Sequence, residues 1–349
     1  MNILVLCGGS SSERNISITC GSNVCRALRE NGHNAVLVDV MSDAESDIFE
    51  KSADRYHMDS YVESYREKNE LIQIEMEKKT LTEFVGSHLL ELAKKADLVF
   101  PVLHGVNGED GKLQAMFELY GIKYTGAGSL SSALSLNKTL SKLVVKNAGV
   151  PVADGVSIFC DDYKENPSKY TLKELGLPDN VIVKPESGGS SIGTTAAYGE
   201  EEFRKSLETA FKYDDYVLAE RFIHGREFSV GIVDGRAFPA AEIVVKPGEF
   251  YDYTNKYSNL AKEICPAELS EEEMTRLQNT ALLAAKALRI NSYCRIDCLM
   301  DEQKTFYFME VNNLPGMSPK SLIGKGAAAA GISFNELCEM MVETALEKR

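Results

Sequence analysis

Apolar and polar positions run along this chain in stretches whose period changes several times, and the changes divide it. Ile3–Leu6 is a short apolar run that meets Gly8-Gly9. The spacing after it predicts a helix from about Ser17 to Asn31, ended by Gly32. Ala35–Val40 is a second apolar run. Strand, helix and strand in this order predict a parallel sheet. Further on, Leu98–Leu103 predicts a strand, Lys112–Tyr120 a helix stopped by Gly121, and Ile122–Thr125 a strand. Leu130–Ala148 predicts one long helix closed by Gly149. Residues 1–135 are therefore expected to form a doubly wound α/β unit. Within it, residues 42–94 are polar with mixed charge. They read as a solvated insertion with an amphipathic helix around Leu81–Lys95.

From Val150 the runs shorten. Val156–Phe159, Val181–Lys184 and Val217–Phe222 predict strands around a helix at Glu201–Lys212, giving a small α+β unit over 136–216. Glu227–Val233 and Arg236–Val245 predict a hairpin, because Asp234-Gly235 suits a two-residue type I′ turn. The segment 246–262 mixes Gly, Pro, Asp and Asn with Phe250, Tyr251, Tyr253 and Tyr257. A loop of that length within a compact unit reads as a lid. A helix (Ser270–Leu288), a strand pair (Tyr293–Met300 and Thr305–Asn312) and two closing helices complete a third unit, 217–349.

Composition narrows the function. The chain has 349 residues, 44% of them hydrophobic and 26% charged, with a net charge of −14. Such an acidic balance opposes nucleic-acid and anionic-lipid partners. No apolar run approaches the ~20 residues of a membrane span. The N-terminal run lacks a basic flank and reads as a strand, not a signal peptide. The eight cysteines are scattered without a Cys-x-x-Cys pair. That pattern suggests reduced thiols in a cytoplasm, several of them small core residues, and no structural zinc site.

Five constellations carry candidate chemistry. In the predicted hairpin of Arg295-Ile-Asp297 and Glu310-Val-Asn312, alternation places Arg295, Asp297, Glu310 and Asn312 on one face. Ile296, Cys298, Met309 and Val311 fall on the other. Two carboxylates and an amide are hard oxygen donors suited to Mg²⁺; the same alternation also describes a half-exposed hairpin with cross-strand ion pairs. Lys184-Pro-Glu-Ser-Gly-Gly-Ser190-Ser191 carries a lysine from a strand into a Gly/Ser-rich loop able to close on phosphate oxygens. It lacks the ending of a Walker A loop. Lys138 and Lys256 are further candidate phosphate contacts. Glu227 points away from the apolar face of its strand, towards possible ribose hydroxyls, and Glu220 with the backbone after it suits an adenine edge. Glu13 lies between the first strand and helix, where such sheets bind ligands. Ser318-Pro319 reads as an N-cap with proline at the first helical position.

Taken in order, these motifs resemble those of the D-alanine–D-alanine ligases. The resemblance also rests on Leu103-His104-Gly105, Gly108-Glu109-Asp110-Gly111, Tyr124-Thr-Gly-Ala-Gly128, Tyr251-Asp-Tyr-Thr-Asn-Lys256-Tyr257 and Pro315-Gly316-Met317, and it covers the chain outside 42–94. It implies a three-domain ATP-grasp architecture that makes the D-Ala-D-Ala dipeptide of peptidoglycan through an acyl phosphate. ATP and two Mg²⁺ ions, replaceable by Mn²⁺, are the implied cofactors, with metal ligands Asp297, Glu310 and Asn312. The nucleotide falls to Lys138, Lys184, Ser190, Ser191, Glu220, Arg221, Phe222, Ile223, Glu227 and Lys256. Glu13, helped by Ser190 and Tyr257, orients the first substrate, with His104 nearby. Arg295 and the Gly316 N–H stabilise the oxyanion, and Ser321 with the Leu322 N–H takes the second carboxylate. The family also implies a homodimer.

Two departures stand out. Asn313-Leu314 replaces a threonine and a small or polar residue. Lys320 stands where a histidine or other polar residue is usual, beside the second substrate. D-serine or D-lactate as second substrate is thus the alternative, and Tyr257 is the residue that favours D-alanine. A nucleotide-binding protein without ligase activity is a further reading, set against the intact metal ligands and Lys256.

Overall fold

A computed structural model of the chain describes all residues except 44, 46, 52–57, 69–71, 73–83, 190, 246–261 and 348–349. In the first sheet, β1 (Asn2–Cys7) lies between β2 (Asn34–Asp39) and β3 (Leu98–Pro101), and all pairing is parallel. Helix α1 (Arg14–Glu30) makes the first crossover. It begins three residues before the predicted start. It stops at Gly32, whose φ is +90°, while the N–H groups of Gly32 and His33 bond the carbonyls of Arg29 and Leu28 at 3.0 Å. The strand expected at Leu98–Leu103 ends at Pro101, and the one at Ile122–Thr125 shrinks to a bridge between Val99 and Tyr124.

The described part of 42–94 corrects the expected solvated insertion. Val62 and Tyr65 of α2 (Met58–Glu67) and Leu89 and Leu92 of α3 (Leu89–Lys95) are buried in the first sheet's core. The Tyr65 hydroxyl donates to the Leu37 carbonyl at 3.2 Å. Polar composition concealed a few apolar anchors spaced for one helix face. The helix expected from Leu81 starts at Leu89, because Gly86 occupies a turn bonded to the Val40 carbonyl; residues 81–83 lie outside those described.

After α4 (Lys112–Leu119), the expected long helix is two: α5 (Ser129–Leu136) and α6 (Lys138–Asn147). Asn137 breaks it, with ψ 109°, and accepts the Leu140 N–H at 2.8 Å as the cap of α6. An asparagine side chain competes for backbone donors in this way.

The second sheet is antiparallel. It comprises β4 (Gly155–Phe159), β5 (Asn180–Pro185), β6 (Thr195–Tyr198) and β7 (Tyr216–Arg221), in the order β4-β7-β5-β6. Between β4 and β5 comes α7 (Cys160–Glu165), and between β6 and β7 comes α8 (Glu200–Ala210). Phe203, Leu207 and Ala210 of α8 pack on Val181, Val183, Val217 and Ala219.

The third sheet is antiparallel and six-stranded: β8 (Arg226–Val233), β9 (Arg236–Ala237), β10 (Ala241–Val244), β11 (Lys262–Ile264), β12 (Tyr293–Met300) and β13 (Phe306–Asn312). Asp234 and Gly235 have φ of +47° and +69°, the left-handed pair that a type I′ turn requires. Pro239, which has no N–H, interrupts the strand expected from Arg236 to Val245. Helix α9 (Glu271–Ala287) opens with a capping box of Ser270 and Glu273. Two helices follow β13: α10 (Leu322–Ala329) and α11 (Phe334–Glu347). Among the described residues no helix is long and apolar enough to cross a membrane.

Candidate active site

One cavity lies between the second and third sheets. Lys184 and the stretch Glu220–Ile223 line it from β5 and β7, and Glu227, Leu299 and Met309 from the third sheet. Strand alternation explains Glu227: Phe228, Val230 and Ile232 are buried in the core, so Glu227 faces the cavity. Glu220 is 3% exposed and lies between two ammonium groups, the Nζ atoms of Lys142 and Lys184, each 2.5 Å from one of its oxygens. Burial raises its pKa, but the two lysines outweigh burial and bring it down to about 2. Burial also lowers Lys142, to about 8, which Glu220 only partly opposes. The Glu220 carboxylate is thus engaged with lysines, and the backbone after it borders the space.

The Gly/Ser-rich loop meets the first turn of α6. Lys138 donates from Nζ to the Gly188 carbonyl at 2.7 Å, and that Nζ lies 3.8 Å from Glu310 Oε2. Burial lowers the Lys138 pKa, Glu310 acting against it. Lys138 can point inward only because the helix restarts there. Ser191 has φ +56°, a left-handed conformation uncommon for a residue with a side chain.

The strand pair β12–β13 places Arg295 opposite Asn312 and Asp297 opposite Glu310, which keeps the four on the one face that alternation predicts. Beyond Asp297 the register shifts, so Cys298 faces Phe308 and Met309 is the extra residue of a bulge. Met309 therefore leaves the apolar face expected for it and lines the first cavity, while Phe308 is buried in the core. The Asp297 carboxylate accepts two bonds from Arg295, at 2.9 and 2.7 Å, one from the Ser229 hydroxyl at 2.6 Å and one from Asn312 Nδ2 at 3.1 Å. Among the described residues no three His, Cys, Asp or Glu side chains converge as a metal cluster. The set here is two carboxylates and an amide.

A second cavity adjoins the first. Glu13, His104, Arg295, Gly316, Ser321 and Leu322 all line it. These residues come from the loop after β1, the loop after β3, β12 and the segment that enters α10. A Cβ on Gly189 would stand 3.3 Å from Glu13 Oε2, so the loop and the acid of the first sheet approach closely. The N-cap of α10 is Ser321, not Ser318. Ser321 Oγ accepts from Gly324 N–H at 3.2 Å, and Pro319 sits in the preceding turn. The two cavities meet at Lys138, Gly188, Gly189 and Glu310, which line both.

Of the residues singled out from the sequence, Ser190, Lys256 and Tyr257 lie outside those described, as does most of the expected lid at 246–262. The other proposed site residues line one cavity or both, except Asp297, which is buried behind Arg295 and Asn312 and lines neither. Three residues escaped the reading. Lys142 lies one helical turn after Lys138, a spacing that the expected long helix already held; its partner Glu220 is far away in sequence. Glu186 follows Lys184-Pro185 and holds the loop to α6. Glu109 lines the second cavity and accepts the Gly105 N–H at 2.7 Å, inside a motif whose acid had no assigned task.

Comparison with known proteins finds relatives over nearly the whole chain. The family described as D-ala D-ala ligase N-terminus matches residues 2–127, and D-ala D-ala ligase C-terminus matches residues 144–343. A D-alanine–D-alanine ligase of Pediococcus pentosaceus is 36% identical over 98% of this chain and 97% of its own length. Among solved structures, a D-alanine–D-alanine ligase from Bacillus anthracis complexed with ATP superposes with a TM-score of 0.75 at 30% identity, over 99% of this chain and 97% of its own. The VanG D-Ala:D-Ser ligase from Enterococcus faecalis gives 0.79 at 25% identity, over 99% of both chains.

Proposed function

The chain belongs to the family of D-alanine–D-alanine ligases and has their ATP-grasp fold, and from that premise we propose how its residues divide the work of joining two D-alanine molecules at the expense of ATP for peptidoglycan synthesis. The observation that carries the reading is the junction of the cavities at Lys138, Gly188, Gly189 and Glu310. A nucleotide in the first cavity then directs its terminal phosphate at a carboxylate in the second.

Lys184 and Lys138 offset phosphate charge, Gly188–Ser191 closes on its oxygens, and Glu227 accepts from the ribose. The backbone Arg221–Ile223 meets the adenine edge. Asp297, Glu310 and Asn312 supply only oxygen ligands and lie on one face, a donor set that fits Mg²⁺ or Mn²⁺. They would hold two such ions, whose contribution is to neutralise charge during phosphoryl transfer. Asp297, whose carboxylate accepts four hydrogen bonds, would give up one of them to hold such an ion. Glu13 orients the ammonium group of the first D-alanine, with His104 beside it. The first carboxylate attacks the γ-phosphorus and becomes an acyl phosphate; the amine of the second D-alanine then attacks that carbonyl and phosphate leaves. Arg295 and the Gly316 N–H face the developing oxyanion. Ser321 and the Leu322 N–H take the second carboxylate at the start of α10. Ser190, Tyr257 and the lid lysine Lys256 complete the reading by resemblance.

The same reading divides the chain into units 1–135, 136–216 and 217–349, each containing one sheet, with the last helix of the third unit packed on the first sheet. It places the protein in the cytoplasm, where ATP is available, as a homodimer. D-Serine or D-lactate as acceptor is the second reading, favoured by Lys320 on the second cavity.

Phosphate release from ATP and Mg²⁺ tests the proposal. D-Alanine is expected to give turnover and L-alanine none, with Glu310→Gln losing at least about 100-fold. Turnover with D-serine or D-lactate mixtures alone would keep the fold and mechanism but overturn the acceptor. No turnover with any of them would overturn the ligase reading.

A further inference from the structure

We propose that Glu186 is a positioning residue for the nucleotide, locking the Gly/Ser-rich loop to the first turn of α6 and so aiming Lys138. The proposal rests on reading the first cavity as a nucleotide site. Glu186 is 4% exposed. One carboxylate oxygen accepts from the Thr139 hydroxyl at 2.6 Å and from the Ser157 hydroxyl; the other accepts from Asn137 Nδ2 at 2.9 Å. Its carbonyl accepts the Lys138 N–H at 3.0 Å, and its own N–H donates to the Tyr216 carbonyl at 3.0 Å. One side chain and its peptide groups therefore join α6, β4 and β7 at the root of the loop.

A buried carboxylate is costly unless its lone pairs are filled. Here neutral donors fill them, and among the described residues no lysine or arginine forms an ion pair with Glu186. The first turn of α6 adds to this, since a helix N-terminus favours negative charge. A glutamate is an unusual choice for holding a loop, because a neutral side chain avoids the desolvation cost. Its particular capacity is to accept from several donors on different elements at once while donating to none. Two of its three side-chain bonds, and the bond to its carbonyl, fall at Asn137, Thr139 and Lys138, where the helix restarts. Lys138 then bridges from this anchored turn to Gly188 and towards Glu310. Without the carboxylate the restart loses its side-chain ties at Asn137 and Thr139 and keeps only the backbone bond from Lys138 N–H and the bond from Lys138 Nζ to Gly188. A displacement of about 1 Å in such a group is enough to weaken its action strongly.

The test is a double-mutant cycle on the affinity of the full chain for ADP with Mg²⁺, measured by calorimetry. Glu186→Ala is expected to weaken binding about 10-fold, one hydrogen-bonded contact's worth. In a Lys138→Met background the same change is expected to add less than about 2-fold, because residues acting through one another are not additive. Glu186→Gln, which keeps the volume and one acceptor oxygen, recovers part of the loss. If Glu186→Ala does not fold, Thr139→Val, which removes a single donor, runs through the same cycle with a smaller shift in the same direction. Equal losses in both backgrounds would overturn the proposal, since they mean general support and no action through Lys138. Unchanged affinity would do the same. Either result beside intact D-alanine-dependent phosphate release leaves the ligase reading standing, whereas a wild-type chain that binds no ADP overturns both.

Discussion

Glu220 titrates unlike an ordinary glutamate because two lysines share it. Its contribution to stability is complete above about pH 4.5 and is lost as the pH falls towards about 2. Lys142 acts in the other sense. Its pKa is lowered by burial from 10.5 to about 8, so its charge is a burden below about pH 8 that is relieved as the pH rises towards 10.5. The two effects have opposite signs at neutral pH, and a buried charge cluster such as Lys142, Glu220 and Lys184 is weak evidence for stability. Its effect is geometric, holding Lys184 at the wall of the first cavity. ADP affinity is therefore expected to fall as the pH rises through about 8, where Lys142 loses its charge. In Lys142→Met the affinity is expected to be lower and flat across that range. Calorimetry between pH 7 and 9.5 checks this, and an inflection that survives in the variant assigns it to another group.

At the scale of elements, breaks and bulges aim the chemistry. The interruption at Asn137 turns one helix into two and puts Lys138 at the head of a fresh first turn, with Lys142 one turn on. The bulge at Met309 lets Asp297 face Glu310 although the strand pair near its turn runs in the other register. The turn before α10 matters in the same way. It carries Lys320, exposed on the second cavity, while Lys325 one turn into the helix is paired with Glu263 at 2.7 Å. Among the described residues around that turn, Lys320 is a cation placed to act on a second-substrate carboxylate. Lys320→Met is expected to raise the KM of the second D-alanine about 2- to 5-fold, the size of an exposed ion pair. The KM for ATP is expected to stay unchanged. Initial-rate kinetics with both substrates varied decide it; a shift in the ATP KM instead would place Lys320 elsewhere in the mechanism.

At the scale of the molecule, the end of the chain completes the core of its beginning. Leu337, Cys338, Met341 and Val342 of α11 are buried in the same cluster as the strands β1 and β3. Asn31 and His33 beyond α1 both bond Glu339, each at 2.9 Å. The loops bearing Glu13 and His104 are therefore anchored by a helix more than 200 residues away in sequence. Leu337 is fully buried, and Leu337→Ala is expected to cost about 2–5 kcal/mol. A thermal melt should show that loss as a single shifted transition. An early partial transition that leaves the first sheet intact would mean that α11 is not part of its core.

The residue patterns by themselves determined a good deal. Short-range rules settled the βαβ start, the end of α1 at Gly32, the type I′ turn at Asp234-Gly235 and the shared face of Arg295, Asp297, Glu310 and Asn312. Each depends only on backbone sterics or on strand alternation, which neighbours in sequence carry. The ordered motifs also carried the family. Tertiary structure decided the rest. Asn137 became a cap and not a helix interior because Glu186 and the loop are there to bind that turn. Met309 left the apolar face because Phe308 fills the core. Val62 and Tyr65 are buried because the first sheet offers them a surface that their polar neighbours in sequence do not reveal. The Lys142–Glu220–Lys184 triad joins groups far apart along the chain. Burial and charge pairing act through space, so which lysine meets which carboxylate was settled only when the sheets packed.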